Sequence, residues 1–332
     1  MDIQVQKYGI GIINTVERMD SSGPLDCSVS SDSLQYDFLP LQEAKEKKKY
    51  AKFIKNNLFF YKENMVCGSS YFLYVPPLQK GRLDIFLKAE FPAQGVLLLA
   101  IDKDTSIDIV EHSDFKAMAE VYVDIVAISG SRVEYTKQVD ANEFQVQTSH
   151  RAKIMAESSV TWNEYIKSTK NALVNVESYL EQPGATSHTK SIIYSLKEGV
   201  CDVKHEVFHN SVMTNSHISA AGIAKDESKN IYRSCIDIKE GAKRSSGHQK
   251  AQFLQLSPKA EVDAVPALQV ECHEVFCSHG VSITRCKPED IFYITSRGIE
   301  STQAENILER AHVCSIIDSM NSTAQAEFDQ LL

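Results

Sequence analysis

The chain breaks into many short apolar segments, most of them separated by too little sequence to hold a helix. LDIFLKAEF (83–91), GVLLLAID (95–102), SIDIVEH (106–112), EVYVDIVAI (120–128) and NALVNVESYL (171–180) are rich in Val and Ile. SIIYSLK (191–197), VCDVKHEVF (200–208), IYRSCIDI (231–238), AQFLQL (251–256) and VPALQVEC (265–272) continue the series, which is broken by Gly, Asp, Lys or Ser. This is strand composition. The brief gaps disfavour a doubly wound α/β fold, where a helix follows each strand. A β-sandwich and a parallel solenoid both fit. Sandwich hairpins favour Asn-Gly or Asp-Gly turns, and the sequence contains neither dipeptide. No clean repeat period emerges, so the pattern alone leaves the two architectures open.

The flanks differ from this body. The first 60 or so residues read as irregular, with a turn-rich Ser21-Ser22-Gly23-Pro24 stretch. Leu41 to Asn57 has helical composition and a lysine-rich face, expected to be solvated although it could meet an acidic partner. At the other end Pro288 suits a first helical position, followed by Glu289 and Asp290. Ile291, Phe292 and Ile294 supply an apolar face and Gly298 a stop. Thr302 and Glu305 predict a capping box opening a second helix whose face is Ile307, Leu308, Ala311 and Ile316. A third helix is expected from Thr323 to Leu331. The expected division is 1–64, 65–286 and 287–332.

Composition narrows the function classes. A formal net charge of −9 argues against sequence-independent nucleic-acid binding, which needs a basic footprint. Apolar runs of transmembrane length are missing from the sequence. The N-terminus, MDIQVQKYG, lacks the basic-then-apolar layout of a secretory signal, so a cytoplasmic location without membrane insertion is expected. Eight scattered cysteines, with no C-x-x-C pair, read as free thiols.

Two constellations could carry chemistry. His205-Glu206-Val207-Phe208-His209 matches the H-E-x-x-H zinc signature, making a zinc metalloprotease one reading of His205, Glu206 and His209. The signature works only on a helix. These residues lie in a strand-like context, where positions four apart are ~13 Å apart. Two histidines on the surface of a strand are the plainer expectation. Cys272, His273, Cys277, His279 and Cys286 crowd into a short span. Thiolates and imidazoles bind zinc and iron–sulfur clusters, but the spacing matches no closed zinc site, and packed thiols are the alternative. Gly9-Ile10-Gly11 lacks the third glycine of a dinucleotide fingerprint, and neither a phosphate loop nor a G-x-S-x-G elbow occurs. A β-helix polysaccharide lyase or hydrolase would need clustered carboxylates, and no clear acid pair stands out.

The region from 251 to 311 resembles the SufB/SufD family of iron–sulfur cluster assembly proteins. The matching residues are LSPKAEVDAVP (256–266), Pro266-Ala267-Leu268, Cys277-Ser278-His279-Gly280, Phe292-Tyr293 and Ser296-Arg297-Gly298-Ile299. HEVFHNSVMTNS (205–216) and FLYVPPLQKG (72–81) extend the likeness upstream. C-S-H-G points to the SufD branch.

The resemblance implies a mainly β chain: a right-handed parallel β-helix (solenoid) with a short N-terminal extension and C-terminal helices. It implies a non-enzymatic scaffold subunit of a SufBCD-type complex. Such a subunit pairs with a SufB-like paralogue, or with itself as a homodimer, and docks a SufC-like ABC ATPase through its C-terminal helices. Carried over by position, Phe292, Tyr293, Arg297, Gly298 and Ile299 would meet the ATPase. Cys277 and His279 would lie at the SufB–SufD junction, beside a transient iron–sulfur cluster and with no stably bound cofactor. Cys272 lies near a functional cysteine of SufB-type chains but two residues displaced, which leaves a SufB-like cluster-holding scaffold as the alternative. Thr295 stands where the family often has arginine. Flavin association is left open, and no metal ligand set is assigned.

Overall fold

The computed structural model describes residues 23–57 and 69–329. The first helix pair, the β body and the C-terminal helices fall within these residues. The Gly9-Ile10-Gly11 reading and the expected boundary at 64/65 lie outside them.

One sheet holds β1 (Gly23–Pro24), β3 (Asp37–Pro40), β4 (Ser69–Val75), β6 (Ala93–Ile101), β8 (Ala119–Ala127), β10 (Val146–Ile154), β12 (Asn171–Leu180), β14 (Val200–His209), β16 (Lys229–Ile238) and β18 (Glu261–Val270). The other holds β2 (Asp26–Ser30), β5 (Lys80–Ala89), β7 (Ser106–Phe115), β9 (Arg132–Ala141), β11 (Ser159–Ser168), β13 (Thr186–Ser195), β15 (Asn215–Ala224), β17 (Ser246–Gln255) and β19 (Phe276–Arg285). From β4 onward the chain alternates between the sheets, and each strand pairs in parallel with the strand two places later. The result is a parallel β-solenoid of about 8 turns.

Alternation along each strand explains the closure. In β5, Leu83, Ile85, Leu87 and Ala89 point into the lumen, where they meet Leu97, Leu99 and Ile101 of β6. Two inward faces pressed together make one continuous core along the axis. The corners are tight, and several turn on a single left-handed residue. Leu78, Asp104, Glu157, Met213 and Arg244 have φ between 54° and 63°, and Gly130 and Gly184 take the same position in their coils.

From Gly23 onward the described N-terminal residues are less irregular than their composition suggests. Gly23–Pro24 is not a turn but a short parallel addition to β6. Leu25 then fills the space over Gly95, where a Cβ would lie 2.4 Å from the Leu25 Cδ2. β2 and β3 run antiparallel to β5 and β4 and so close the N-terminal end of both sheets. The helix expected over 41–57 is present as α1 (Leu41–Glu46) and α2 (Lys48–Asn57), broken at Lys47. Its Tyr50 and Ile54 bury against Phe72, Leu98 and Val126 on the outside of the first sheet.

The C-terminal helices are α3 (Pro288–Thr295), α4 (Ser301–Ile317) and α5 (Ser322–Asp329). α3 starts at Pro288, with the Lys287 N–H donating to the Asp290 carboxylate at 2.9 Å. Gly298 closes the turn that follows at φ 86°. The predicted capping box does not form, because Glu305 reaches Lys225 at 2.6 Å and α4 begins without a side-chain cap. The buried face of α4 is also rotated from the expected one, since Val313 and Ile317 are buried while Ile307 is exposed. With Met320, Ala324 and Phe328 they cover Tyr165, Ile192, Tyr194, Ala221 and Ile223 on the outside of the second sheet. Asn321 and Thr323 hold Asp108 at 3.4 and 3.1 Å, and Arg82 holds Glu327 at 3.1 Å. α4 and α5 therefore strap the solenoid, and α3 stands at its far end.

Candidate functional site

The two ends of the solenoid differ. The N-terminal end is closed by antiparallel strands. At the other end β18 pairs only with β16 and β19 only with β17, among the described residues. Both last strands present an unpaired row of backbone N–H and C=O groups. Their inward side chains form a layer with no coil above it. β18 contributes Val262, Ala264, Pro266, Leu268 and Val270, the partners of inward-facing Asn230, Tyr232, Ser234, Ile236 and Ile238. β19 contributes Cys277, His279, Val281 and Ile283. Val270 is 43% and Ile283 46% exposed, although their equivalents one coil earlier are covered.

Of the three candidate cluster or interface residues, Cys277, His279 and Cys272, the first two lie together. Cys277 and His279 share the lumen face of β19, above Gly247 and Gln249 of β17. Cys277 is half-buried, and burial pushes its thiol up, against the pull of a hydrogen bond from the Gly247 backbone. His279 is exposed at the rim. Cys272 lies apart, buried in the corner between β18 and β19 and packed into the main core. Ser278, between the pair, points to the outer surface and bonds His248 at 2.8 Å. The described residues contain no group of three or more His, Cys, Asp or Glu arranged to hold a metal ion. All seven cysteines among them are free thiols.

The expected docking residues follow on α3, one short link beyond β19. Phe292 is 70% and Tyr293 60% exposed. The Arg297 guanidinium lies 4.3 Å over the Tyr293 ring and fixes it outward. Ile299 is half-buried.

His205 and His209 sit on β14 rather than on a helix, as their context suggested. They are not surface residues, however: both imidazoles are fully buried in the lumen, while Glu206 faces out. They have separate partners. His209 bonds Thr214 at 2.7 Å and Ser216 at 2.8 Å. His205 meets Glu164 at 2.8 Å and Tyr232 at 3.2 Å. Alternation explains the miss, since both positions are in phase with Val203 and Val207.

His205 ends a buried ionic chain that the sequence did not reveal. Tyr135 donates to Glu111 at 2.6 Å, and Glu111 meets His150 at 3.0 Å. His150 meets Lys137 at 3.0 Å, and Lys137 lies 3.1 Å from Glu164. Burial alone would raise the Glu164 carboxyl, yet Lys137, His205 and the Ser191 hydroxyl hold it well below the usual carboxylate range. Glu111 is lowered in the same way, with His150 opposing burial. The available signal was a lysine in phase with Val133, Tyr135 and Val139 on β9.

His209 makes acid lability testable. Burial lowers its pKa to about 4, from 6.5. The unfolded chain binds the proton first, so this stabilising contribution is complete above pH 6.5 and is lost as pH falls toward 4. Relative to His209→Gln, the native chain should lose about 3 kcal/mol across that window, at ~1.4 kcal/mol per pH unit. Urea unfolding of both chains at several pH values checks this. Parallel pH profiles would contradict it.

Residues 86–312 match the family model described as SUF system FeS cluster assembly, SufBD core domain. The chain belongs to the SufB/SufD core family. Iron–sulfur cluster assembly protein SufD of Escherichia coli is 23% identical over 217 residues, 64% of this chain and 51% of that protein. SufD of Bacillus subtilis is 23% identical over 164 residues, 49% of this chain and 38% of that protein. A SufBD family protein of Staphylococcus saprophyticus is 24% identical over 266 residues, 76% of this chain and 57% of that protein. The likeness to SufD agrees with the Cys277-Ser278-His279-Gly280 reading and supports the SufD branch. The chain spans about half the length of the curated relatives it matches. No helix among the described residues is long and apolar enough to cross a membrane.

Proposed function

We propose that this chain is a non-enzymatic scaffold subunit of an iron–sulfur cluster assembly complex. Its open solenoid end receives a SufB-like partner, and α3 docks a SufC-like ATPase. The observation that carries the reading is the unfinished last coil. An apolar layer and two unpaired strand edges surround Cys277 and His279, which offer one thiol and one imidazole from one strand. A nascent cluster is cargo here. Two donors on one strand suit a site completed by a partner strand better than a cluster held by this chain alone. Cys277 is protonated in the free chain, so taking up iron would displace its proton.

The docking half of the reading has a direct test. Large exposed aromatics at the centre of an interface are typical anchors, each worth ~2 kcal/mol or more. The double variant Phe292→Ala, Tyr293→Ala should bind the SufC-like ATPase at least ~30-fold more weakly in calorimetry, since 1.4 kcal/mol is about tenfold. Both side chains are exposed, so the melting temperature should not move. An affinity within twofold of the native chain would remove α3 from the interface.

A further inference from the structure

A column of imidazoles runs up the outside of the second sheet. His188, His217 and His248 occupy one register on β13, β15 and β17, and Ser278 of β19 is next in line. The His217 and His248 ring centres are 6.3 Å apart with their planes tilted by 50°. We propose that His217 and His248 form a surface site for an exchangeable first-row divalent metal ion, with water in the remaining positions.

The geometry is close to what two imidazoles need. A metal–nitrogen bond of ~2.1 Å places two rings on one tetrahedral ion about 5 Å apart, centre to centre, and at wider angles up to ~6.4 Å. About 1 Å of side-chain rotation is enough to close the gap. The Ser278 hydroxyl bonds the His248 Nδ1 at 2.8 Å, which leaves Nε2 for the ion and fixes the ring. His217 is exposed, and burial, His248 and Lys190 lower its pKa, favouring the neutral imidazole that ligates. Lys190 is tied by its ammonium to the Ser319 carbonyl, and Lys250 is exposed on the adjoining column. His188 is farther inside, half-buried beside Lys190. With two protein ligands the site holds its ion loosely. Imidazole ligands favour Co²⁺, Ni²⁺ and Zn²⁺ over Mg²⁺ or Ca²⁺. The site lies behind the strand that presents Cys277 and His279, on its opposite face, and does not depend on the proposed function.

The test is titration of the untagged full chain with Co²⁺ under reducing conditions, followed by calorimetry and absorption. One ion should bind with a spectrum free of thiolate-to-cobalt charge transfer. His217→Asn and His248→Asn should each weaken binding at least ~10-fold, and Ser278→Ala about 10-fold, as second ligand contacts generally do. His188→Asn should change it less than twofold. Unchanged melting curves in all four variants confirm the fold. Binding that survives both His217→Asn and His248→Asn, binding dominated by thiolate bands, an equal loss in His188→Asn, or no binding at all would each overturn the assignment.

Discussion

Replacing Lys137 by methionine is expected to lower the unfolding free energy by about 3–5 kcal/mol, the usual cost of stranding a buried charge. Lys137 is fully buried, 3.1 Å from Glu164 and 3.0 Å from His150. The Glu164 contact is an ion pair at close range rather than an aligned hydrogen bond, since Glu164 Oε1 accepts none. Methionine fills the volume but leaves a wholly buried carboxylate with only His205 and Ser191. The loss should be partly reversed in Lys137→Met, Glu164→Gln, because the stranded charge is then gone. Urea unfolding measures both. A single-variant loss below 1 kcal/mol would mean that water reaches this part of the lumen. The network sits mid-solenoid, so the damage should spread to neighbouring coils, whose stability is shared through their interfaces.

Placing charge on the open end is expected to abolish pairing. In Val270→Asp, Ile283→Asp a carboxylate enters the proposed partner interface from each of the two last strands. Each would be desolvated without a partner, at several kcal/mol per group. Association with the SufB-like chain should weaken at least ~100-fold. Both positions are more than two-fifths exposed in the free chain, so its own melting temperature should shift little. A native-strength complex in analytical ultracentrifugation would place the interface elsewhere. A homodimer of the native chain, lost in the variant, would show that the same end also pairs with itself.

Much of the fold was legible because strand alternation is local. β5 and β12 show their apolar phase in the sequence, and α3 shows its start at Pro288 and stop at Gly298. The repeat was not legible, because its length drifts. Tyr71 pairs with Leu97, 26 residues on, whereas Val174 pairs with Val203 at 29 and Asn230 with Val262 at 32. The corners hid it further. Leu78, Asp104, Glu157, Met213 and Arg244 adopt the left-handed conformation without glycine, so no glycine spacing marks them. Several strands escaped notice because lumen polar residues break their apolar phase, as Lys137 does in β9 and His150 in β10. At the site, the C-S-H-G motif located Cys277 and His279, but nothing local showed that the strand carrying them is the last of its sheet among the described residues. The rotated face of α4 shows the same limit: Val313 and Ile317 are buried by Tyr165, Tyr194 and Ile223, which lie far away in sequence.

Backbone hydrogen exchange tests the open end most directly. If β18 and β19 are the edges that meet a SufB-like chain, amides in 261–270 and 276–285 that point away from β16 and β17 exchange fast in the free chain. In the co-expressed complex they should slow at least ~10-fold, while β8 to β14 stay unchanged. Equal exchange of these edge amides in the free chain and in the complex would contradict the account.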